Sequence, residues 1–121
     1  MGRLDDIRKL QDRTKRFAVA VIRFYAELPQ NEPARVIGRQ LLRSSTSVAA
    51  NYRAARRTRS AADFVSRISV VVEEADETLF WLELLVAASI VKAEAMQALR
   101  DESDELVRIF STSLTTAKVN R

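Results

Sequence analysis

The chain has 121 residues, 47% of them apolar and 30% charged, a composition of an ordinary globular protein rather than a disordered one, and by length it reads as one domain over residues 1–121. Cysteine and histidine are both absent, which removes disulfides, thiolate nucleophiles, imidazole bases and zinc fingers together. The net charge of +4 is unevenly spread: residues 1–34 carry +2, residues 35–67 carry +7 and residues 68–121 carry −5.

Glycine and proline occur only at Gly2, Gly38, Pro29 and Pro33, so long helices are favoured over strands, which need a turn signal roughly every 8 to 12 residues. The N-terminal stretch is charged throughout and no segment approaches the apolar length of a membrane span, which points to a soluble, cytoplasmic protein with no membrane contact.

From about Leu4 to Leu28, Ile7, Leu10, Phe17, Val21, Phe24 and Leu28 recur in alternating three- and four-residue steps with Thr14 in the gap, the pattern of a helix with one buried stripe. Arg8, Lys9, Arg13, Lys15, Arg16 and Arg23 form its solvated face. Pro29 to Pro33 ends this helix, with Asn31 as N-cap and Glu32 and Pro33 in the first turn of the next.

The second helix is expected over residues 32–57. At ~100° per residue, Ile37, Leu41, Ser44, Val48, Tyr52 and Ala55 fall on one side, flanked by small residues that let helices approach closely. On the other side Arg35, Arg39, Arg43, Arg53 and Arg57 lie within ~40° of one line, over a rise of about 33 Å. Such a cationic ridge can follow a phosphate backbone, and these five are the candidate nucleic-acid or anion-binding residues. A ridge solvated or paired with acidic residues of a neighbouring helix or subunit explains the same pattern, and no aromatic residue for base stacking lies on this face.

Ser60-Ala61-Ala62-Asp63 fits a capping box and starts a third helix over residues 61–89, antiparallel to the second across a short corner. Phe64, Ile68, Val71, Ala75, Leu79, Leu82 and Val86 form its core stripe, and Ser66, Ser69, Glu73 and Glu77 begin the opposite face. In Leu79 to Ser89 apolar residues surround the helix, more than one bundle core covers, so Phe80, Trp81 and Leu84 are the candidate oligomer interface. A turn near Ser89 to Lys92 leads to a fourth helix over residues 92–117, with Ala95, Leu99, Leu106, Ile109 or Phe110, and Ser113 inside and a fraying tail from Thr115. The fold class is therefore all-α, an antiparallel up-down-up-down four-helix bundle.

Candidate chemistry is thin. Glu73, Glu74, Asp76 and Glu77 with Glu102 and Glu105 suggest a carboxylate metal site, but di-iron bundles also use Glu-x-x-His pairs and this chain has no histidine. The serines Ser44, Ser45, Ser47, Ser60, Ser66 and Ser69 lack a base and an oxyanion hole and read as packing and capping residues. Gly38 stands alone, so there is no phosphate loop. The expectation is no enzyme, no metal and no cofactor.

The run Leu42-Arg43-Ser44-Ser45-Thr46-Ser47-Val48-Ala49-Ala50-Asn51-Tyr52-Arg53-Ala54-Ala55, followed by Arg57-Thr58-Arg59-Ser60-Ala61-Ala62-Asp63-Phe64, resembles the bacterial four-helix bundle proteins named for the 23S rRNA intervening sequences that encode some of them. Glu74-Ala75-Asp76-Glu77-Thr78-Leu79-Phe80-Trp81-Leu82-Glu83-Leu84-Leu85 is similar to one branch of that family, and the resemblance covers roughly residues 14–90. Where many relatives carry an Ala-Glu-Gly-type segment, this chain has Tyr52-Arg53-Ala54-Ala55, so it resembles the variant branch. The resemblance implies a ring-shaped homopentamer in the cytoplasm with no established catalysis. It also implies distant kinship with retroelement accessory proteins that bind nucleic acid beside a reverse transcriptase, an analogy of fold and not of site. Two functions remain from the sequence: a self-assembling bundle presenting a basic surface to RNA or another polyanion, or a structural and protein-interaction module with no nucleic-acid ligand.

Overall fold

A computed structural model describes residues 2–120, with side chains from Asp5 onward, and contains four α-helices and no strand among them. These are α1 (Gly2–Ala26), α2 (Glu32–Ala55), α3 (Ala61–Ala87) and α4 (Ala93–Asn120). Each packs on its sequence neighbour, and α1 closes the bundle against α4 along the thinnest of the four seams.

The helix starts follow from local chemistry. Asn31, extended at φ −136°, accepts the Ala34 N–H at 3.0 Å, and Pro33 sits where its missing N–H costs nothing. Ser60 does the same for α3, its hydroxyl accepting the Asp63 N–H at 3.1 Å. Only half of the expected capping box forms, because no return bond from Asp63 to Ser60 is present among the described residues. At the far end α3 stops in a Schellman motif: Ile90 N–H bonds Leu85 O at 3.0 Å, Ser89 N–H bonds Val86 O at 2.9 Å, and Ser89 takes φ 60°. The last helix does not fray at Thr115 but continues to Asn120.

One cluster holds the core, with Val21, Leu41, Val48, Ile68, Val71, Leu82, Leu85, Leu106 and Phe110 sealed from solvent. Each such Leu, Ile or Phe gains about 1.5 to 3 kcal/mol by burial, so this layer dominates stability. The core stripe of α3 is rotated relative to the expectation: Thr78 and Leu85 are sealed, while Leu79 and Val86 are half-buried. On α4, Met96 and Ser103 turn inward and Ala95 is exposed, the reverse of the expected placing of Ala95.

Small residues set the spacing of α2 from its neighbours. At Gly38 a Cβ would stand 2.8 Å from Leu28 Cδ1 and 3.0 Å from the Tyr25 ring, so the end of α1 rests directly on the α2 backbone. On the α3 side, the buried Thr78 hydroxyl donates to Ser44 Oγ at 2.9 Å, a polar bridge inside an otherwise apolar contact.

Candidate nucleic-acid interface

The straight arginine line of α2 is divided by its neighbours. Arg35 and Arg39 lie 3.7 and 3.8 Å from the exposed Glu32 carboxylate, loose pairs of the kind that solvent screens. Arg43 is committed: it bonds Glu74 of α3 at 3.0 Å, Glu77 of α3 more closely, and Gln40 at 3.0 Å. The Arg43 hydrogen bond holds the Glu77 carboxyl below its usual range, against desolvation, and the Trp81 indole N–H adds a bond to the same carboxylate at 3.1 Å. Glu77 in turn raises the Arg43 pKa, so both stay charged at neutral pH.

Beyond this cluster the picture reverses. Arg53 and Arg57 are exposed and make no ion pair among the described residues. They are joined at the α2–α3 corner by Arg56, Arg59 and Arg67, which the helical line did not include. Arg56 donates to Gln11 of α1, and Arg67 reaches Asn51 at a long 3.4 Å, both neutral acceptors. Between residues 53 and 67 Asp63 is the single acid, and it forms no salt bridge among the described residues. Five guanidiniums therefore surround one corner without carboxylate partners among the described residues, where the partial charges of the α2 C-terminus and the α3 N-terminus oppose each other. The sequence signal was present in Arg56-Arg57-Thr58-Arg59; a helical wheel drawn over residues 32–57 set Arg56 about 100° off the line and left Arg59 outside the helix.

Two depressions flank the corner. A shallow one on the α2–α3 face is lined by Ala54, Arg57, Thr58, Asp63, Ser66 and Arg67 among others. A larger cleft of about 770 Å³ opens at the end of the bundle between all four helices, with Tyr52, Ala55, Phe64 and Ile68 in its wall and Arg56 and Arg59 at its rim.

The candidate assembly residues occupy the opposite end of the α2–α3 face. Phe80 is 52% exposed and packs edge-on against Trp81 with ring centroids 5.0 Å apart. Trp81 and Leu84 are half-buried. The antiparallel register fixed by Ser44–Thr78 and Arg43–Glu77 sets Val36, 49% exposed, level with residues 84–86. No helix of the described residues is long and apolar enough to cross a membrane, and no group of three or more acidic side chains there could hold a metal ion.

The pattern of the 23S rRNA-intervening sequence proteins matches residues 8–112, nearly the whole helical core just described. The chain belongs to that family. A crystal structure of a protein of unknown function from the S23 ribosomal protein family of Bacteroides thetaiotaomicron is similar, at 32% identity and a TM-score of 0.79 over 86% of this chain and 96% of that one. No curated protein matches. The family membership thus agrees with the four-helix architecture and brings no assigned ligand or reaction with it.

Proposed function

We propose that this member of the 23S rRNA-intervening sequence protein family is a non-enzymatic, cytoplasmic, self-assembling bundle that binds RNA through its arginine corner. The observation carrying the reading is the contrast along the basic face: Arg43 is neutralised by Glu74 and Glu77, whereas Arg53, Arg56, Arg57, Arg59 and Arg67 have no carboxylate partner among the described residues. Leaving five like charges together costs self-repulsion, which a polyanion relieves by replacing its own condensed counterions. Arg35 and Arg39, with looser pairs to Glu32, continue the basic face on the far side of the Arg43 cluster, and Arg43 itself is a structural residue between the two groups. The absence of histidine and cysteine from the chain supports the non-enzymatic part.

Assembly is proposed through Phe80, Trp81 and Leu84 with Val36 level with them, an exposed apolar group at the end away from the arginine corner, where Arg35 and Arg39 flank it. The homopentamer implied by the resemblance is the stoichiometry proposed. A structural module without nucleic acid is the second reading, favoured by the engagement of Arg43 with Glu74 and Glu77.

A salt titration of RNA affinity separates the two. Arg53→Ala and Arg57→Ala should each weaken binding to a single-stranded RNA and reduce the slope of log affinity against log salt by about 0.7 for each phosphate no longer neutralised. Arg43→Ala should leave the slope unchanged. No measurable affinity in the native protein, or equal slopes for all variants, rejects the RNA reading and leaves the structural one.

A further inference from the structure

The cleft beside the arginine corner has a composition that phosphate binding alone does not require. Tyr52 is only 6% exposed and packs its ring on Phe110 at 5.2 Å, yet it lines the cleft, and its hydroxyl makes no hydrogen bond to protein among the described residues and is not fully buried. Burial pushes the Tyr52 hydroxyl pKa up against an opposing pull from Arg56, which places that guanidinium near the same opening. Phe64, Ile68, Ala55 and Ile7 make the remaining wall apolar, while Arg56, Arg59, Thr58 and Thr116 stand among its polar lining. Gln11 takes up one of the five N–H donors of Arg56, which leaves the rest for another acceptor. At about 770 Å³ the cleft is of the size that holds a small organic group.

We propose that this cleft receives one unpaired base of a single-stranded RNA, with the Tyr52 hydroxyl bonding the base and Arg56 and Arg59 holding the adjoining phosphates. This rests on the RNA reading above and narrows it to single strands. A bare anion has no use for the apolar wall, and an uncharged apolar ligand has none for the arginines; a nucleotide uses both. Bases within a duplex are stacked and paired and do not reach such a recess, so a single strand with a free base is the form selected. The aromatic face missing from the arginine line of α2 is thereby supplied by the half-buried Phe64, on the other side of the corner.

The test compares, by fluorescence anisotropy, a short labelled oligouridylate, the same strand with an abasic position, and an RNA hairpin stem. The abasic strand should bind the native protein about tenfold more weakly than the intact one, the loss expected for one stacked base, and the stem should be no better. Tyr52→Phe keeps the ring and removes the hydroxyl; it should weaken the intact strand about fivefold and leave the abasic strand unaffected. Ala61→Trp, a substitution at an exposed position of the rim, should close the cleft and make the intact and abasic strands equal. Arg57→Ala, outside the cleft, should weaken every strand alike. Equal affinity for intact and abasic strands in the native protein, or a difference that survives Ala61→Trp, overturns the base pocket even if Arg57→Ala still weakens binding. Failure of every strand to bind overturns the RNA reading itself.

Discussion

At the scale of single residues, Ser89 shows how a side chain can be placed against its preference. It alone among the described non-glycine residues has a positive φ, 60°, because the Schellman bonds from Ser89 and Ile90 require a left-handed residue after α3. A Cβ in that region costs about 1 to 2 kcal/mol relative to glycine. Ser89→Gly should therefore stabilise the fold by about 1 kcal/mol and raise the thermal midpoint by roughly 4 °C, measured by circular dichroism melting. An unchanged midpoint would mean that the turn relaxes without strain. The turn expected near Ser89 to Lys92 lies between Ala87 and Ala93, although no Gly or Pro marks it; its geometry was not legible, since serine carries no left-handed signal. Tyr52 gives a similar lesson. Its ring was readable as core, but whether its hydroxyl ends in packing or in a cleft depends on α1, α3 and α4, which helical spacing along α2 does not encode.

At the scale of helix pairs, the Arg43 cluster ties α2 to α3. The Glu77 carboxyl, held below its ordinary value of 4.5 chiefly by the Arg43 hydrogen bond, binds its proton less readily folded than unfolded. Its contribution is thus fully present above the unfolded value and is lost as pH falls through the lower folded one. Stability measured by urea unfolding should decline between about pH 5 and pH 3, and Arg43→Ala should flatten that part of the curve while leaving the rest of its shape. If native and Arg43→Ala proteins lose stability in parallel over this range, the pair does not supply the pH dependence. Side chains 48% and 33% exposed keep the effect modest. The helices themselves were legible because Asn31, Pro33 and Ser60 announce their starts and the apolar steps give their faces. What spacing did not settle was the rotation of α3, where Val70, Val71, Val72, Leu79, Leu82, Leu84, Leu85 and Val86 offer apolar residues on nearly every side. The buried Ser44–Thr78 bond belongs to one of the available rotations, and only the register between two helices selects it. The same register brings Glu74 and Glu77 to Arg43; pairing of the line with acids of a neighbouring helix was legible as one reading, but not which arginine it would engage.

At the scale of the whole molecule, the α2–α3 face has two unlike ends separated by the Arg43 cluster: exposed apolar side chains at Val36 and Phe80, and unpaired guanidiniums at the corner. Water penalises the first, and the second repels itself, but the two are relieved by different partners. Burying the exposed half of Phe80 against another copy gains about 1 to 1.5 kcal/mol per subunit, half the value for a whole side chain, and closed symmetry repeats that gain around an assembly. An assembly closed through the apolar end also repeats the arginine corner once per copy, so a long RNA that touches several corners binds by avidity without any new interaction. Phe80→Glu places a charge where an apolar neighbour is proposed and should reduce the sedimentation coefficient to that of smaller species, with far-ultraviolet circular dichroism unchanged. The same variant should lose affinity for a long RNA far more than for a short strand, because a short strand engages one corner whether or not the copies are joined. Leu84→Glu should act in the same way from the half-buried side of the patch. A native assembly that survives both substitutions places the interface elsewhere, and an equal loss on long and short RNA separates the apolar end from the proposed avidity, leaving each corner to act alone.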